Sequence, residues 1–353
     1  MRSRPLVLAV TLAALLLTAC GTSREPDPGP PAPTGTHPGG TRPDGARLVY
    51  RGEGRASAQN PAFSPDGRRM LFTLFHDGYN EGAAALRVLP LDGRGAAGPG
   101  RRADTLLDES DRAAVNLPGA SWHPSAGVTF ASDRAGHDEV WVLPPGGERP
   151  VRVTEHRGRS GYLEPSFSPD GRWIVFQESV EEETGSEERR PSRAALGSLW
   201  KVRRDGSGAT RLLDGPATGT DNRQPNWSPK GDRLVFQRRE RDSDTWALYV
   251  MGADGTGLRR LTGGSGEHTD PSWSPDGRSV VFSSTAGGLE VPQIFVIPAT
   301  GGTPVRVTRS PAGYDGAPSW SPDGRWIAFE AHPGDEDRPT SLWRIPAPGA
   351  VTR

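Results

Sequence analysis

The sequence predicts an all-β protein, a six-bladed β-propeller of four-stranded antiparallel blades. Three observations carry that prediction. A motif of the form Pro-x-aromatic-Ser-Pro-Asp-Gly-Arg returns along the chain at intervals of roughly fifty residues. After each strong copy comes a short apolar run that ends in Phe. Gly and Pro, 46 and 35 of 353 residues, recur at fixed offsets between these runs, as tight turns between short strands require.

The strong copies are Asn60–Arg68, Glu164–Arg172, Gln224–Gly231, Asp270–Arg278 and Ala317–Arg325. Ala120–Gly127 is a weaker one, with His123-Pro124-Ser125 in place of Ser-Pro-Asp. Their aromatic anchors are Phe63, Trp122, Phe167, Trp227, Trp273 and Trp320. Ser-Pro-Asp-Gly is a turn with a mechanism: Pro presets φ, Asp suits the third position, and Gly accepts a left-handed backbone. Recurrence of Asp66, Asp170, Asp276 and Asp323 is explained by that turn, so no chemistry is assigned to them.

The runs after the turn are second strands, as in Met70-Leu71-Phe72, Ile174-Val175-Phe176 and Ile327-Ala328-Phe329. Third strands follow a variable loop, as in Glu139–Val142, Ser198–Val202, Ala247–Val250, Gln293–Val296 and Ser341–Ile345. Fourth strands follow a Gly-containing hairpin, as in Pro150–Thr154, Leu258–Thr262 and Val305–Thr308. Such blades bury their faces only against one another, so the ring must close. Ala46–Tyr50 and Ala350–Arg353 both read as the fourth strand that completes blade six.

The first residues have another character. Arg2 and Arg4 precede an apolar run from Leu6 to Leu17, interrupted only by Thr11, which fits a secretory signal and is short for a membrane span. It ends in Leu17-Thr18-Ala19-Cys20-Gly21, and Cys20 is the only cysteine of the chain. No intrachain disulfide or cysteine-based zinc site is open to it. Residues 21–44 are rich in Pro, Gly and Thr and too poor in apolar side chains to fold. The expected organisation is a signal peptide over 1–19, a lipidated Cys20 with a spacer over 20–45, and the propeller over 46–353.

Charge is balanced, with 42 basic and 43 acidic residues, so no basic footprint argues for nucleic acid. Lysine occurs only at Lys201 and Lys230, a bias that carries no functional weight in the sequence alone.

Pro-x-Trp-Ser-Pro-Asp-Gly-Arg-x-x-x-Phe resembles the PD40, or WD40-like, repeat of the TolB propeller, over essentially the whole chain from about residue 47. Leu17–Cys20 resembles the lipobox of bacterial lipoproteins, in which the cysteine takes a diacylglyceryl group and becomes the new N-terminus. Two acyl chains anchor stably where one is marginal. The PD40 resemblance implies the fold and leaves function open, because binding proteins, peptidases and lyases share the repeat. The separate N-terminal α/β domain of TolB has no counterpart here, which puts a Tol–Pal role in doubt.

In such a ring the first strand of each blade lines the channel. The Ser-Pro-Asp-Gly turns lie on one face, and the loops that differ between repeats lie on the other, where binding is expected. A polar or aromatic group sits just before each first strand: Asn116, Tyr162 and Glu164, Asp221 and Asn222, His268 and Asp270, Tyr314 and Asp315, with Gln59 and Asn60 in blade one. These are the candidate ligand-binding residues of the channel mouth. The competing reading is that they cap strand ends and bind water. Carboxylates outnumber cations among them, so a cationic group or metal ion fits better than an anion.

An insertion at Glu178–Arg190 reads either as an acidic arm or as a solvated loop. There is no Gly-x-Ser-x-Gly elbow, and the histidines are scattered, so no catalytic residue, cofactor or resident metal is expected. The predicted function is a lipid-anchored binding or scaffolding module of the cell envelope. Its expected partners are an envelope protein or peptide and the membrane through its lipid, with a monomeric propeller. The alternative is a propeller hydrolase or lyase acting at the channel mouth, which requires His268, Asp270, Glu164 and an Arg to meet. A calcium-dependent module would need several of the acidic groups to converge.

Overall fold

The structure is a computed structural model, and it describes residues 40–92, 102–108, 113–147, 149–156, 160–180, 196–241, 243–310, 313–332 and 338–349. The predicted signal peptide, Cys20, most of the spacer, the acidic insertion beyond Val180 and the tail strand Ala350–Arg353 lie outside the described residues.

Six sheets follow one another around a ring, as the repeat predicts. Strand β1 (Arg47–Arg51) comes first in the chain but belongs to the last blade. Blade one is β2 (Ser57–Phe63), β3 (Arg69–Phe75), β4 (Ala84–Pro90) and β5 (Asp104–Leu107). In blade two the first strand is broken into β6 (Ala114–Val115) and β7 (Trp122–His123), beside β8 (Gly127–Ser132), β9 (Glu139–Leu143) and β10 (Val151–Arg152). Blade three is β11 (Ser160–Phe167), β12 (Trp173–Val180), β13 (Ser198–Arg203) and β14 (Thr210–Leu213), followed by one helical turn, α1 (Gly215–Thr218).

Blade four is β15 (Thr220–Trp227), β16 (Arg233–Glu240), β17 (Ala247–Gly252) and β18 (Arg259–Arg260). Blade five is β19 (His268–Trp273), β20 (Ser279–Ser284), β21 (Gln293–Pro298) and β22 (Val305–Arg306). Blade six is β23 (Tyr314–Trp320), β24 (Trp326–His332) and β25 (Ser341–Pro346), completed by β1. Arg47 pairs with Arg344 and Arg51 with Ser341, so the N-terminal strand closes the ring.

The Phe that ends each apolar run explains why the blades stack. Phe72, Phe130, Phe176, Phe236, Phe282 and Phe329 are all fully buried second-strand residues. Five face an aromatic ring across the pair, as in Phe176–Trp200 and Phe329–Trp343. Burying each such ring stabilises the fold by about 2–3 kcal/mol, and cross-strand aromatic pairs add to that.

The Ser-Pro-Asp-Gly turn is held by its own side chains. Ser64 Oγ donates to Asp66 Oδ1 at 2.5 Å and accepts the Arg69 amide at 2.9 Å. The same bonds recur in blades three, five and six. Blade four has Lys230 in the Asp position, and Ser228 Oγ turns instead to Asp232 Oδ1 at 2.7 Å. In blade two His123 replaces the serine: its Nδ1 accepts the Ala126 amide at 3.1 Å, and its Nε2–H donates to Pro169 O at 3.0 Å.

Residues 40–45, read as the end of the spacer, pack on the closing blade. Arg42 donates to Asp315 Oδ1 and Oδ2 at 2.7 and 2.9 Å and to Asp44 Oδ2 at 2.9 Å. Its guanidinium lies 5.5 Å from the Phe329 ring centre and 5.6 Å from that of Trp343.

Candidate functional site

The inner strands share an irregularity just above the turn face. Asn60, Glu164, Gln224, Asp270 and Ala317 all adopt left-handed backbone, with φ between 45 and 56°, each immediately before a proline. Every one lies at a register shift between the first and second strands. Proline donates no ladder hydrogen bond, and the bulge turns the preceding residue toward the channel. Such backbone costs about 1–3 kcal/mol per residue unless its surroundings fix it. Neighbouring blades do so: Glu164 Oε2 accepts the Gln224 amide at 2.6 Å, Gln237 Oε1 the Asp270 amide at 3.0 Å, and Glu330 Oε2 the Asn60 amide at 2.9 Å.

Broken blade two closes the channel below this level. Its segment Asn116–Ser121 reaches across the axis, and Pro118 O accepts Asn226 Nδ2 from blade four at 3.0 Å. Gly119, with φ +91°, lies so close to blade five that a Cβ there would sit 2.6 Å from Ser272 Oγ. Asn116 is buried in this floor, donating to Asn60 O at 2.8 Å and Leu117 O at 3.2 Å. The channel is therefore a cup, floored toward the turn face, with Glu164, Gln224 and Asp270 above the floor.

Glu330, Tyr79 and Tyr314 complete one wall. Tyr79 Oη donates to Glu330 Oε1 at 3.4 Å. Tyr79 and Tyr314 meet edge to face at 6.2 Å, and Tyr314 stacks on His332 at 4.8 Å. Tyr314 folds back over its own strand, and only a glycine at 316 permits this, because a Cβ would fall 2.0 Å from the tyrosine Oη. Burial pushes the Glu330 carboxyl up to about 8, opposed by the Asn60 amide and reinforced by the charge of Asp270. Burial likewise pushes Glu164 up to about 7, with Arg223 opposing and Asp270 and Asp221 adding to the shift. Asp270 is raised by burial as well, and Tyr79 and Tyr314 are held well above the usual phenol range. Few counter-cations stand by these carboxyls, and the low dielectric favours their neutral forms.

Of the residues read from the sequence, Glu164, Asp270 and Tyr314 come together here, and Asn116 forms the floor. The others are placed elsewhere. His268 is buried against Phe282 with Nδ1 on Ser284 Oγ at 2.9 Å, and burial lowers its pKa to about 4. Asp221 accepts the Gly197 amide at 2.9 Å and binds Arg223 at 2.8 Å and Arg239 at 3.5 Å. Asn222 donates to Gly197 O at 2.9 Å, and Asp315 holds Arg42. Tyr162 packs edge to face on Phe176 and His156, where burial raises it to about 12. Among the described residues no three His, Cys, Asp or Glu are grouped to hold a metal ion.

Glu330, Tyr79 and Gln224 were not read from the sequence. Glu330 had a signal: it directly follows the buried Phe329, where the other blades carry Thr73, Ala131, Gln177, Gln237 and Ser283. In blades four, five and six that side chain bonds the inner strand of the following blade, and blade six alone puts an ionisable group there.

Comparison with known proteins agrees with this architecture. Residues 215–339 match the model of the TolB β-propeller domain, PD40. A TolB homologue of Chlorobium luteolum is 30% identical over 134 residues, which cover 38% of this chain and 26% of that protein. The match thus spans about a quarter of that relative's length. The solved structure of a putative TolB from Agrobacterium tumefaciens superposes with a TM-score of 0.51 at 20% identity, covering 82% of this chain and 90% of that one. An oligogalacturonate lyase in complex with manganese superposes equally well, at 0.51 and 15% identity over 84% and 92% of the two chains. At such identity the solved structures speak for the fold alone. Among the described residues no helix is long and apolar enough to cross a membrane. The chain is thus a six-bladed propeller built on one repeated turn, and over residues 215–339 it is similar to the TolB β-propeller domain, PD40.

Proposed function

We propose that this chain is a lipid-anchored binding module of the cell envelope, whose channel cup receives a positively charged group of a protein or peptide partner. One observation carries the reading: Glu164, Asp270 and Glu330 share a cup with Tyr79 and Tyr314, where burial pushes all three carboxyls up and Arg223 opposes it only at Glu164. An ammonium or guanidinium group supplies counter-charge and gains from the tyrosine faces. A floored cup suits a side chain or chain end entering from the rim better than a threaded polymer. TolB relatives support a protein partner.

The enzyme reading required His268 beside Asp270 and Glu164, and His268 lies in the blade interior instead. Among the described residues the cup presents carboxyls and phenols, with His332 stacked behind Tyr314. The anchor is proposed on Leu17–Cys20. Cys20→Ala is expected to move the protein from the membrane to the soluble fraction, and retention would sink the anchor. In-cell crosslinking with mass spectrometry tests the module: wild type is expected to hold a partner that the D270N/E330Q double variant loses. Equal recovery by both would remove the cup from partner binding.

A further inference from the structure

We infer that the groove between the turns of blades three and four binds an oxyanion, a carboxylate or phosphate group, through Lys201 and Lys230. The groove measures about 470 Å³ and lies on the turn face, remote from the cup. Trp173, Trp227 and Asp170 line it with Asp254 and both lysines of the chain. Comparison of the six blades shows that each lysine replaces another residue type. Lys201 stands opposite Val175, at a register position filled by Val88, Val142, Val250 and Val296 in four other blades. Lys230 stands where four other turns have Asp66, Asp170, Asp276 and Asp323.

The exchange at 230 is the more informative. In those four turns the Asp carboxylate holds the Ser hydroxyl. Blade four has moved that task to Asp232, which leaves position 230 free of any duty in the turn. Lys230 is exposed and makes no hydrogen bond or ion pair among the described residues. Its Cε lies 4.0 Å from where a Cβ on Gly277 of blade five would sit, and the residue lines the groove on a flexible four-carbon stem. Lys201 is pinned: Nζ donates to Ala253 O at 3.0 Å and lies 5.5 Å from the Trp173 ring centre.

A cation on a tryptophan is by itself only packing, as with Arg344 on Trp326 in blade six. Lys201 differs in being half-exposed and in having two donors to spare. Trp227, 6% exposed, gives the groove an apolar wall, while its indole N–H is itself buried. The two carboxylates of the groove are hydrogen-bonded within their own turns, Asp170 by Ser168 Oγ and the Arg172 amide and Asp254 by the Thr256 amide and hydroxyl, and Asp254 also feels the charge of Lys201. Donors in surplus with acceptors already satisfied favour an oxyanion.

The scarcity of lysine makes the test direct. Protein labelled with ¹³C at lysine Cε gives two signals, one per site. Titration with inorganic phosphate and with a tetraglutamate peptide, each against sodium chloride at matched ionic strength, is expected to move both signals together and saturably in at least one arm. The arm that responds names the source of the oxyanion. K201V and K230D restore the residues of the other blades, so both should fold, and each is expected to weaken binding about tenfold or more. Signals that follow ionic strength alone, or a K230D protein that binds as wild type with an unchanged melting temperature, would overturn the site.

Discussion

Five of the six blade turns rest on two oxygens, a serine hydroxyl and a carboxylate, and blade four shows that the carboxylate can come from either of two positions. Asp232→Ala removes the only carboxylate on Ser228 and is expected to cost about 1 kcal/mol, read as a lower denaturant midpoint. Adding K230D should recover most of it, by restoring the Asp used in the other turns. A second residue-scale consequence concerns pH. Glu164 and Glu330 are raised to about 7 and about 8 when folded, so the folded state holds protons that the unfolded chain releases near 4.5. Stability is then fully present below about 4.5 and falls as pH rises toward 8. His268, lowered to about 4, acts in the opposite sense and costs stability as pH falls from 6.5. E330Q is expected to melt above wild type at pH 8.5 by about 2–4 °C, with the gap closing at pH 5.5. A gap that does not change with pH would show that Glu330 is not protonated in the fold.

At the scale of strands and segments, the sequence was legible wherever local chemistry repeats. Turn residues, the apolar run and the terminal Phe marked the first three strands of most blades, because each is specified within about ten residues of chain. Fourth strands were read in blades two, four and five, while β5 and β14, the outer edge strands of blades one and three, were not. The broken first strand of blade two was visible only as a weak copy of the repeat. Its consequence, a floor across the channel, depends on contacts with Asn226 and Ser272 more than a hundred residues away, as with the Asn226–Pro118 separation of 108. The Arg42–Asp315 pair, 273 residues apart, was equally hidden and fell at the end of the predicted spacer. Arg42→Ala leaves Asp315 buried without its counter-charge, and a cost of about 3–5 kcal/mol is expected. Thermal melts would show it, and an unchanged melting temperature would mean that the segment before β1 is dispensable.

For the whole molecule, closure by β1 puts the two ends of the domain in one blade, so the ring cannot open without unpairing a strand. A chain truncated after Arg51 should lose cooperative unfolding. The two rims then have separate chemistry. The cup gathers carboxyls from blades three, five and six, and the turn face carries both lysines at one groove. Candidate site residues were legible only in part. Glu164, Asp270 and Tyr314 sit next to repeat landmarks, whereas Tyr79 comes from the variable loop between the second and third strands, where the repeats share no sequence. Which side chains face the axis depends on the bulge at each proline, and sequence spacing does not reveal that bulge.

Calorimetric titration of the purified propeller with a tetra-arginine peptide tests the cup most directly. Saturable binding at one site is expected, tightening as pH rises from 6 to 8.5 because Glu164 and Glu330 shed protons to receive the cation. D270N/E330Q should weaken it at least tenfold, while K201V leaves it unchanged. Binding that is absent, or equal in wild type and D270N/E330Q, would contradict the account.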